Sequence, residues 1–158
     1  FNLIGPLSSP AKVKRQVVGV FDKKLLKIFG EALKNLNLKK ALIVNSQDGL
    51  DEISPYANTD VVELADGKIK ESILSPKDLD IKASGFDNIV GKDPKYNAGK
   101  MKEIFQGKDN DFSIAVCLNA AAGLLVAEKS NSFKEGYEKL RKHILSGKAI
   151  NHISKLTK

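Results

Sequence analysis

The most constraining feature of the sequence is a strand–helix–strand pattern over residues 14–45. Residues 14–21 (KRQVVGVF) form a short, valine-rich apolar run, and residues 40–45 (KALIVN) form a second. Between them, leucine and phenylalanine recur at three- and four-residue steps over 23–37, which predicts an amphipathic helix capped by Asp22. Because two strands joined through a helix run parallel in one sheet, the pattern predicts an α/β fold.

The remaining sequence predicts a hairpin followed by helices. Asp66-Gly67 lies between two strand-like segments, residues 59–65 and 68–74, and tolerates the positive φ angles of a two-residue turn. Residues 75–93 contain proline and glycine breakers and predict irregular structure. The helices expected after this segment run from the cap Asp93 and Pro94 to about Gln106, from the cap Asp111 to about Lys129, and from the capping-box pair Ser132 and Glu135 to Gly147.

Cysteine content and hydropathy indicate the cellular compartment of the protein and whether it enters a membrane. The 158 residues are 42% hydrophobic and include one cysteine, Cys117, so an internal disulfide is impossible and a reducing, cytoplasmic compartment is expected. The longest apolar stretch, residues 114–127, is too short to cross a hydrocarbon core of ~30 Å. Near the start, basic residues follow the apolar ones, the reverse of the secretory order, so we expect no signal peptide and no membrane partner.

The formal net charge of +7 raises the question of an anionic partner. Lysine supplies nearly all of the positive charge, since the only arginines are Arg15 and Arg141, whereas base-reading sites favour the planar guanidinium. Residues 129–158 hold eight basic and two acidic side chains, but only Phe133 and Tyr137 could stack on bases there. The pattern favours a solvated basic face and argues against nucleic acid as a partner.

A short acidic segment after the second strand is the candidate for chemistry. Residues 45–52 (NSQDGLDE) carry three carboxylates at a predicted carboxyl edge, where open α/β sheets bind ligands. Mg²⁺ suits such a site because it takes one or two carboxylates and leaves its other positions to water and phosphate oxygens. Asp51 and Glu52 are the candidate ligands. The spacing alone also fits a solvated acidic turn, which is the commoner arrangement.

Other residues that could carry chemistry give weaker signals. His143 and His152 are too far apart for a helical metal pair, and Cys117 lies in the most apolar segment, which favours an inert core thiol. Asn119, in the same segment, is expected to be a buried amide with its hydrogen bonds satisfied. The sequence contains neither a phosphate-binding P-loop nor a dinucleotide-binding glycine pattern.

Five blocks of the sequence, taken in order, form a recognisable set. They are FNLIGPLSSPA at 1–11, KRQVVGVF at 14–21, DGLDE at 48–52, LNAAA at 118–122 and SGKA at 146–149. Together they resemble the C-terminal half of the anthranilate phosphoribosyltransferase family. The resemblance implies an α/β domain of the nucleoside phosphorylase/phosphoribosyltransferase C-terminal-like fold. It also implies transfer of the phosphoribosyl group from phosphoribosyl pyrophosphate to the amine of anthranilate, releasing pyrophosphate, in tryptophan biosynthesis.

The resemblance assigns roles to particular residues. Asp51 and Glu52 are implied to hold Mg²⁺, the implied cofactor, near the pyrophosphate. The loop with Asn2, Gly5 and Pro6 is implied to line the region where anthranilate enters. No covalent intermediate is required, so no side chain is assigned as a catalytic nucleophile.

The first residue and the methionine content suggest a portion of a longer polypeptide. The chain starts at Phe1 and its only methionine is Met101, so we expect residues 1–158 to be a fragment. The resemblance implies that this fragment is one α/β domain, the C-terminal part of a two-domain enzyme. The resemblance implies an upstream phosphate-binding loop and helical domain, an inactive isolated fragment and a homodimeric intact enzyme. Two alternatives stay open: a nucleic-acid-binding relative on the same fold, and a pyrimidine nucleoside phosphorylase.

Overall fold

The protein is built around a mixed four-stranded sheet whose strands lie side by side in chain order. The structure is a computed structural model that describes residues 3–156. β1 and β2 are parallel, whereas β3 runs antiparallel to both β2 and β4. The α/β class predicted from the sequence is therefore confirmed. The strands are β1 (Arg15–Gly19), β2 (Lys40–Ser46), β3 (Thr59–Ala65) and β4 (Lys68–Leu74).

The predicted strand–helix–strand unit is confirmed. β1 and β2 pair in parallel, with Val18 opposite Ile43, and α1 (Leu25–Asn35) connects them. The helix begins two residues later than predicted, and its N-cap is Lys24 rather than Asp22. The Asp22 carboxylate accepts a hydrogen bond from the Lys24 N–H at 2.9 Å, so it closes a turn in front of the helix.

β3 and β4 form the predicted hairpin. Asp66 and Gly67 at its tip have φ angles of 48° and 74°, as a two-residue turn with positive φ at both positions requires. β3 also pairs with β2 along its whole length. Because β2 and β3 run in opposite directions, the loop between them, residues 47–58, leaves and re-enters the sheet at the same edge. That edge is also the carboxyl end of β1.

Four helices follow the irregular segment 75–93, in which two short 3-10 turns occur. They are α2 (Pro94–Phe105), α3 (Asp111–Val126), α4 (Phe133–Leu145) and α5 (Ile150–Leu156). α3 ends three residues earlier than predicted, because Glu128 just beyond it adopts a left-handed φ of 57°. Across residues 3–156, we find no helix with the length and apolar character needed to cross a membrane.

Of the four predicted helix caps, Asp93 and Ser132 agree with the structure, whereas Asp22 and Asp111 do not. Asp93 and Ser132 cap α2 and α4, each by accepting the backbone N–H three residues further on. The prediction that Asp111 caps α3 is wrong. The cap is Asn110, whose side chain accepts the Ser113 N–H at 2.9 Å. Asp111 is the first helical residue, and its carboxylate faces two loops near the sheet edge instead.

The core lies on both faces of the sheet, because successive residues of a strand point to opposite sides. In β2, Ala41 and Ile43 belong to the cluster packed on α1, whereas Leu42 and Val44 belong to the cluster packed on α3 and α4. All four are 4% exposed or less. This two-sided burial explains why β2 is a continuous apolar run. Cys117 lies fully buried in the α3 cluster, which confirms the expected core thiol.

Candidate functional site: a carboxylate pair at the sheet edge

The loop 47–58 brings Asp51 against the carboxyl end of β1. A Cβ atom built on Gly19, the last residue of β1, would lie 1.6 Å from the Asp51 carbonyl oxygen. No side chain fits at that distance, so glycine is required for the loop backbone to approach the strand. The predicted site residue Asp51 is therefore placed at the edge where α/β sheets bind ligands.

The first half of the loop is a closed turn. The Ser46 N–H donates to the Leu50 carbonyl at 2.9 Å, and Gly49 has a φ of 95°, which favours glycine. The Asp48 carboxylate accepts a hydrogen bond from the fully buried Ser54 hydroxyl at 2.5 Å. Asp48 therefore stabilises the turn, and two of the three loop carboxylates remain available.

Asp51 and Glu52 are both exposed to solvent. Within residues 3–156, no lysine, arginine or histidine forms an ion pair with either carboxylate. Partial burial raises the pKa of Glu52 above its ordinary value, and the negative charge of Asp51 raises that pKa further. The pair therefore concentrates negative charge that the described protein does not neutralise.

These residues fit a divalent cation only as part of its ligand set. The described part of the chain contains no cluster of three or more histidine, cysteine or acidic side chains able to enclose a metal ion. Mg²⁺ characteristically takes one or two carboxylates and completes its shell with water and phosphate oxygens. Asp51 and Glu52 thus match the donor set of a Mg²⁺ ion that also contacts a phosphorylated substrate.

Asn119 on α3 is a residue of this site that sequence reasoning did not assign to it. Its side chain contacts the backbone of Ile53 and the Glu52 carboxylate, and all of these contacts are within 3.2 Å. The expectation that its hydrogen bonds are satisfied is confirmed, although the side chain is half-buried rather than fully buried. The sequence signals were an asparagine within an apolar helix and its place in the block LNAAA at 118–122, and neither identified its partners.

A second carboxylate, Asp111, joins two loops to the start of α3. One oxygen, Oδ2, accepts hydrogen bonds from four groups: the Tyr56 hydroxyl, the Ser84 and Gly85 N–H groups and the Asn88 side chain. Burial alone would raise the pKa of Asp111, but these donors, led by Asn88, hold that pKa below its ordinary value. Burial and this bond to Asp111 both raise the pKa of Tyr56.

The structure places Gly5 and Pro6, two of the three predicted anthranilate residues, away from the carboxylate pair. The Pro6 carbonyl accepts a hydrogen bond from the Gln16 side chain near the start of β1, at 3.0 Å. Pro6 also lines a cleft of about 190 Å³ whose other walls include Leu33 at the end of α1. This cleft lies at the amino ends of β1 and β2, whereas loop 47–58 lies at the carboxyl end of β1. The length of β1 separates the two places by about 13 Å. Gly5 is exposed beside it, and Asn2 lies outside the described residues.

Part of the basic charge near the C-terminus is paired with acidic side chains of the same chain. Arg141 on α4 pairs with Asp109 at 2.6 Å and donates to the Ser113 hydroxyl at 2.9 Å. Lys139 pairs with Glu135 at 2.6 Å. These contacts support the prediction of an ordinary solvated basic surface, because two of its cations already have acidic partners.

Comparisons with known proteins point in one direction. Residues 1–150 match the family described as "Glycosyl transferase family, a/b domain". An anthranilate phosphoribosyltransferase of Pelagibacter ubique (strain HTCC1062) is 62% identical over 156 residues, which cover 99% of this chain and 47% of that relative. The resemblance predicted from the five sequence blocks is therefore confirmed. The chain spans about half the length of the relatives it matches.

Solved structures agree with the sequence comparisons. The anthranilate phosphoribosyltransferase of Thermus thermophilus is 31% identical, with a TM-score of 0.87 over 97% of this chain and 45% of that one. The enzyme from Saccharomyces cerevisiae, solved in complex with 4-fluoroanthranilate, is 27% identical, with a TM-score of 0.84 over 98% and 45%. Its complex with PRPP and Mg is 26% identical, with a TM-score of 0.83 over 96% and 44%.

Proposed function

The chain belongs to the glycosyl transferase family, a/b domain, and on that premise we propose that it forms the C-terminal α/β portion of an anthranilate phosphoribosyltransferase. The proposed reaction transfers the phosphoribosyl group from phosphoribosyl pyrophosphate to the amine of anthranilate and releases pyrophosphate, as a step of tryptophan biosynthesis. The similarity to an enzyme of that name over 99% of the chain supports the proposal.

The observation that carries the proposal is the exposed pair Asp51 and Glu52. Both carboxylates lie at the carboxyl edge of the sheet, and neither has a cationic partner within the described residues. A pair of this kind is suited to hold a divalent cation against the phosphates of a substrate. The yeast enzyme in complex with PRPP and Mg supports the assignment of Mg²⁺ as the cofactor.

The proposed chemistry needs charge stabilisation more than acid–base catalysis. Displacement at the ribose C1 builds positive charge on the sugar and negative charge on the leaving pyrophosphate. Mg²⁺, when bound, neutralises negative charge on the pyrophosphate. Asp51 and Glu52 hold the ion, and Gly19 lets the backbone of their loop pack on β1. The neutral amine of anthranilate needs positioning rather than a strong base.

The remaining parts of the proposal concern the acceptor and the assembly. Asn2, Gly5 and Pro6 are proposed to line the region where anthranilate enters, and the cleft beside Pro6 supports a ligand-accessible position for that residue. The complex of the yeast enzyme with 4-fluoroanthranilate supports an anthranilate-like acceptor. We further propose a cytoplasmic, homodimeric two-domain enzyme, with residues 1–158 as its C-terminal part.

The test uses the full-length polypeptide that contains this chain. Anthranilate fluorescence should decay in the presence of phosphoribosyl pyrophosphate and Mg²⁺, with one pyrophosphate released per anthranilate consumed. The double substitution Asp51→Asn, Glu52→Gln should lower kcat/KM by about 100-fold, equivalent to about 2.7 kcal/mol of transition-state stabilisation, and should raise the Mg²⁺ half-saturation concentration.

A matched control removes two other exposed carboxylates. Asp78→Asn, Asp80→Asn changes the net charge by the same amount on the irregular segment and should leave kcat/KM within about twofold. An unchanged Mg²⁺ dependence in the Asp51 and Glu52 variant would exclude their metal role. Phosphorolysis of a pyrimidine nucleoside, or salt-dependent nucleic-acid binding without transferase activity, would replace the proposed function with one of its two alternatives.

A further inference from the structure

The Asn119 side chain holds the loop that carries the two carboxylates. Its Oδ1 accepts the Ile53 N–H at 2.9 Å, and its Nδ2 donates toward the Ile53 carbonyl at 3.2 Å. The same Nδ2 lies 3.2 Å from Glu52 Oε2 and 3.0 Å from the Ala115 carbonyl on the preceding helical turn. One amide therefore links α3 to the backbone directly after Glu52 and to the Glu52 carboxylate itself.

Both polar atoms of the Asn119 side-chain amide form hydrogen bonds, Oδ1 as an acceptor and Nδ2 as a donor. Nδ2 has two hydrogens and three acceptors within reach, so Glu52 shares the donor with two backbone carbonyls. Ile53 is also fixed on its other side, because its side chain is 2% exposed and packs in the core cluster with Leu42 and Val44. The backbone after Glu52 is thus held by the core and by Asn119, although Glu52 itself is exposed.

We propose that Asn119 is a positioning residue that sets the orientation of the Glu52 carboxylate for cation binding. This role rests on the proposed function, in which Asp51 and Glu52 hold the metal ion. The hydrogen bond from Nδ2 is made to Oε2, and within residues 3–156 the other carboxylate oxygen has no hydrogen-bond or ion-pair partner. Residues that hydrogen-bond to a metal-binding carboxylate in this way restrict its rotamers and raise the affinity of the site.

Only an amide side chain makes this set of contacts. Leucine has the same branched arrangement of four side-chain heavy atoms but neither donates nor accepts, so Asn119→Leu removes every hydrogen bond while keeping the branching. An aspartate at position 119 would lose both donors and place a third negative charge beside Glu52. Serine is shorter and keeps a single hydroxyl. Asn119→Ser therefore weakens the hydrogen bonds to Ile53 and Glu52 and disturbs helix packing less than Asn119→Leu does.

The chain offers a matched control at Asn97 on α2. Its Oδ1 accepts the Lys92 N–H at 3.0 Å, and its Nδ2 donates to the Lys92 carbonyl at 3.1 Å. This is the same two-point hold on a loop backbone, but Asp51 and Glu52 are not among its partners. Asn97→Leu therefore removes equivalent hydrogen bonds from a loop that carries no part of the proposed site.

The experiment measures cation binding directly in the full-length polypeptide. Mn²⁺ alone serves as the probe, and the free ion is followed by electron paramagnetic resonance. Asn119→Leu should weaken Mn²⁺ binding by roughly 10- to 100-fold, as is typical when a partner of a metal ligand is removed. The Mg²⁺ half-saturation concentration for turnover should rise in parallel, while kcat at saturating Mg²⁺ changes less than about threefold. The Ile53 amide hydrogen should also exchange faster.

The outcomes separate this inference from the proposed function. Asn97→Leu should leave the Mn²⁺ affinity within about twofold of the wild-type value. A folded Asn119→Leu variant with unchanged Mn²⁺ affinity, or with a lower kcat alone, would overturn the positioning role and leave the transferase proposal standing. If the leucine variant does not fold, Asn119→Ser decides the question in the same direction. Unchanged Mn²⁺ binding in Asp51→Asn, Glu52→Gln would instead remove the metal site itself.

Discussion

Asp111 and Glu52 are both carboxylates held by hydrogen bonds beside α3, yet they occupy opposite electrostatic environments. Asp111 is 7% exposed, and its Oδ2 has four donors. Glu52 is exposed, has the Asn119 amide as its side-chain donor, and lies next to a second negative charge on Asp51. Accordingly, the pKa of Asp111 is lowered and the pKa of Glu52 is raised.

The difference separates a structural carboxylate from one that is available to a ligand. The negative charge of Asp111 is already stabilised by protein donors, so a cation would gain little by approaching it. The charges of Asp51 and Glu52 repel each other, and a bound cation would relieve that repulsion. Removing the first kind of carboxylate should cost stability, whereas removing the second kind should cost function.

Asp111→Ala should have the largest effect on stability. Four donors would lose their acceptor in a largely buried position, and we expect the free energy of unfolding to fall by about 3 kcal/mol. Urea unfolding followed by circular dichroism measures the change. A loss below about 1 kcal/mol would show that water replaces the carboxylate at little cost, and would remove the distinction drawn between Asp111 and Glu52.

The contribution of Asp111 to stability should depend on pH. Because the folded-state pKa of Asp111 is depressed, its contribution to stability is present above its unfolded pKa of about 4 and is lost as the pH falls through the folded pKa. The stability difference between the wild type and Asp111→Asn should therefore shrink on acidification below about pH 4. Urea unfolding at a series of pH values checks this. A difference that grows toward low pH would contradict the assigned direction of the shift.

Gly19→Ala should lower both the stability of the protein and its affinity for the cation. The added Cβ would meet the Asp51 carbonyl oxygen, so the loop must move, at a cost of about 2 kcal/mol. The Mg²⁺ half-saturation concentration should rise because Asp51 and Glu52 move with the loop.

A glycine-to-alanine control is available on α2. A Cβ at Gly99 meets nothing within 4 Å, so Gly99→Ala should be neutral or stabilising by up to about 1 kcal/mol. Equal stability changes for Gly19→Ala and Gly99→Ala would mean that the loop does not pack on β1 as described.

Tyr56→Phe should have a smaller effect, because it removes one of the four donors to Asp111. We expect a loss of about 1 kcal/mol in the free energy of unfolding. In a double-mutant cycle with Asp111→Ala, the two losses should be less than additive, since both substitutions remove the same hydrogen bond. Strict additivity would show that the Tyr56 hydroxyl does not depend on Asp111.

Asp51→Asn, Glu52→Gln should have the smallest effect on stability, although it has the largest effect on turnover. The substitutions remove a like-charge repulsion and little else, so the free energy of unfolding should change by less than about 0.5 kcal/mol or rise slightly. Thermal unfolding measures this. A large loss would place this pair with Asp111 among the structural carboxylates.

Local patterns were sufficient to predict the hairpin and the parallel pair. Asp66-Gly67 and the valine-rich runs act within a few residues, so periodicity and turn chemistry predict them directly. The cap assigned to Asp111 was wrong because an acid at a helix start fits either the cap or the first helical turn. The hydrogen-bond partners of the Asp111 carboxylate decide between the cap and the first turn. Two of these partners, Tyr56 and Ser84, lie 55 and 27 residues away in sequence.

The candidate site was predictable only in part, for the same reason. The position of Asp51 and Glu52 at the sheet edge could be predicted, because these acids follow the end of β2 within a few residues of sequence. Asn119 contacts Ile53 across 66 residues, and no local pattern reports a contact of that range. The close approach of Gly19 to Asp51 is equally non-local, since it depends on how the loop returns over the end of β1.

The placement of Asp111 and Asn119 on one helix restricts how the gene can change length. The two positions are eight residues apart, about 12 Å along the helix axis and about 80° apart around it. A single inserted or deleted codon between them would rotate one side chain by about 100° and detach its loop. The hairpin tip at Asp66-Gly67 has no such constraint, so insertions and deletions among homologues should accumulate there and be excluded from residues 111–119.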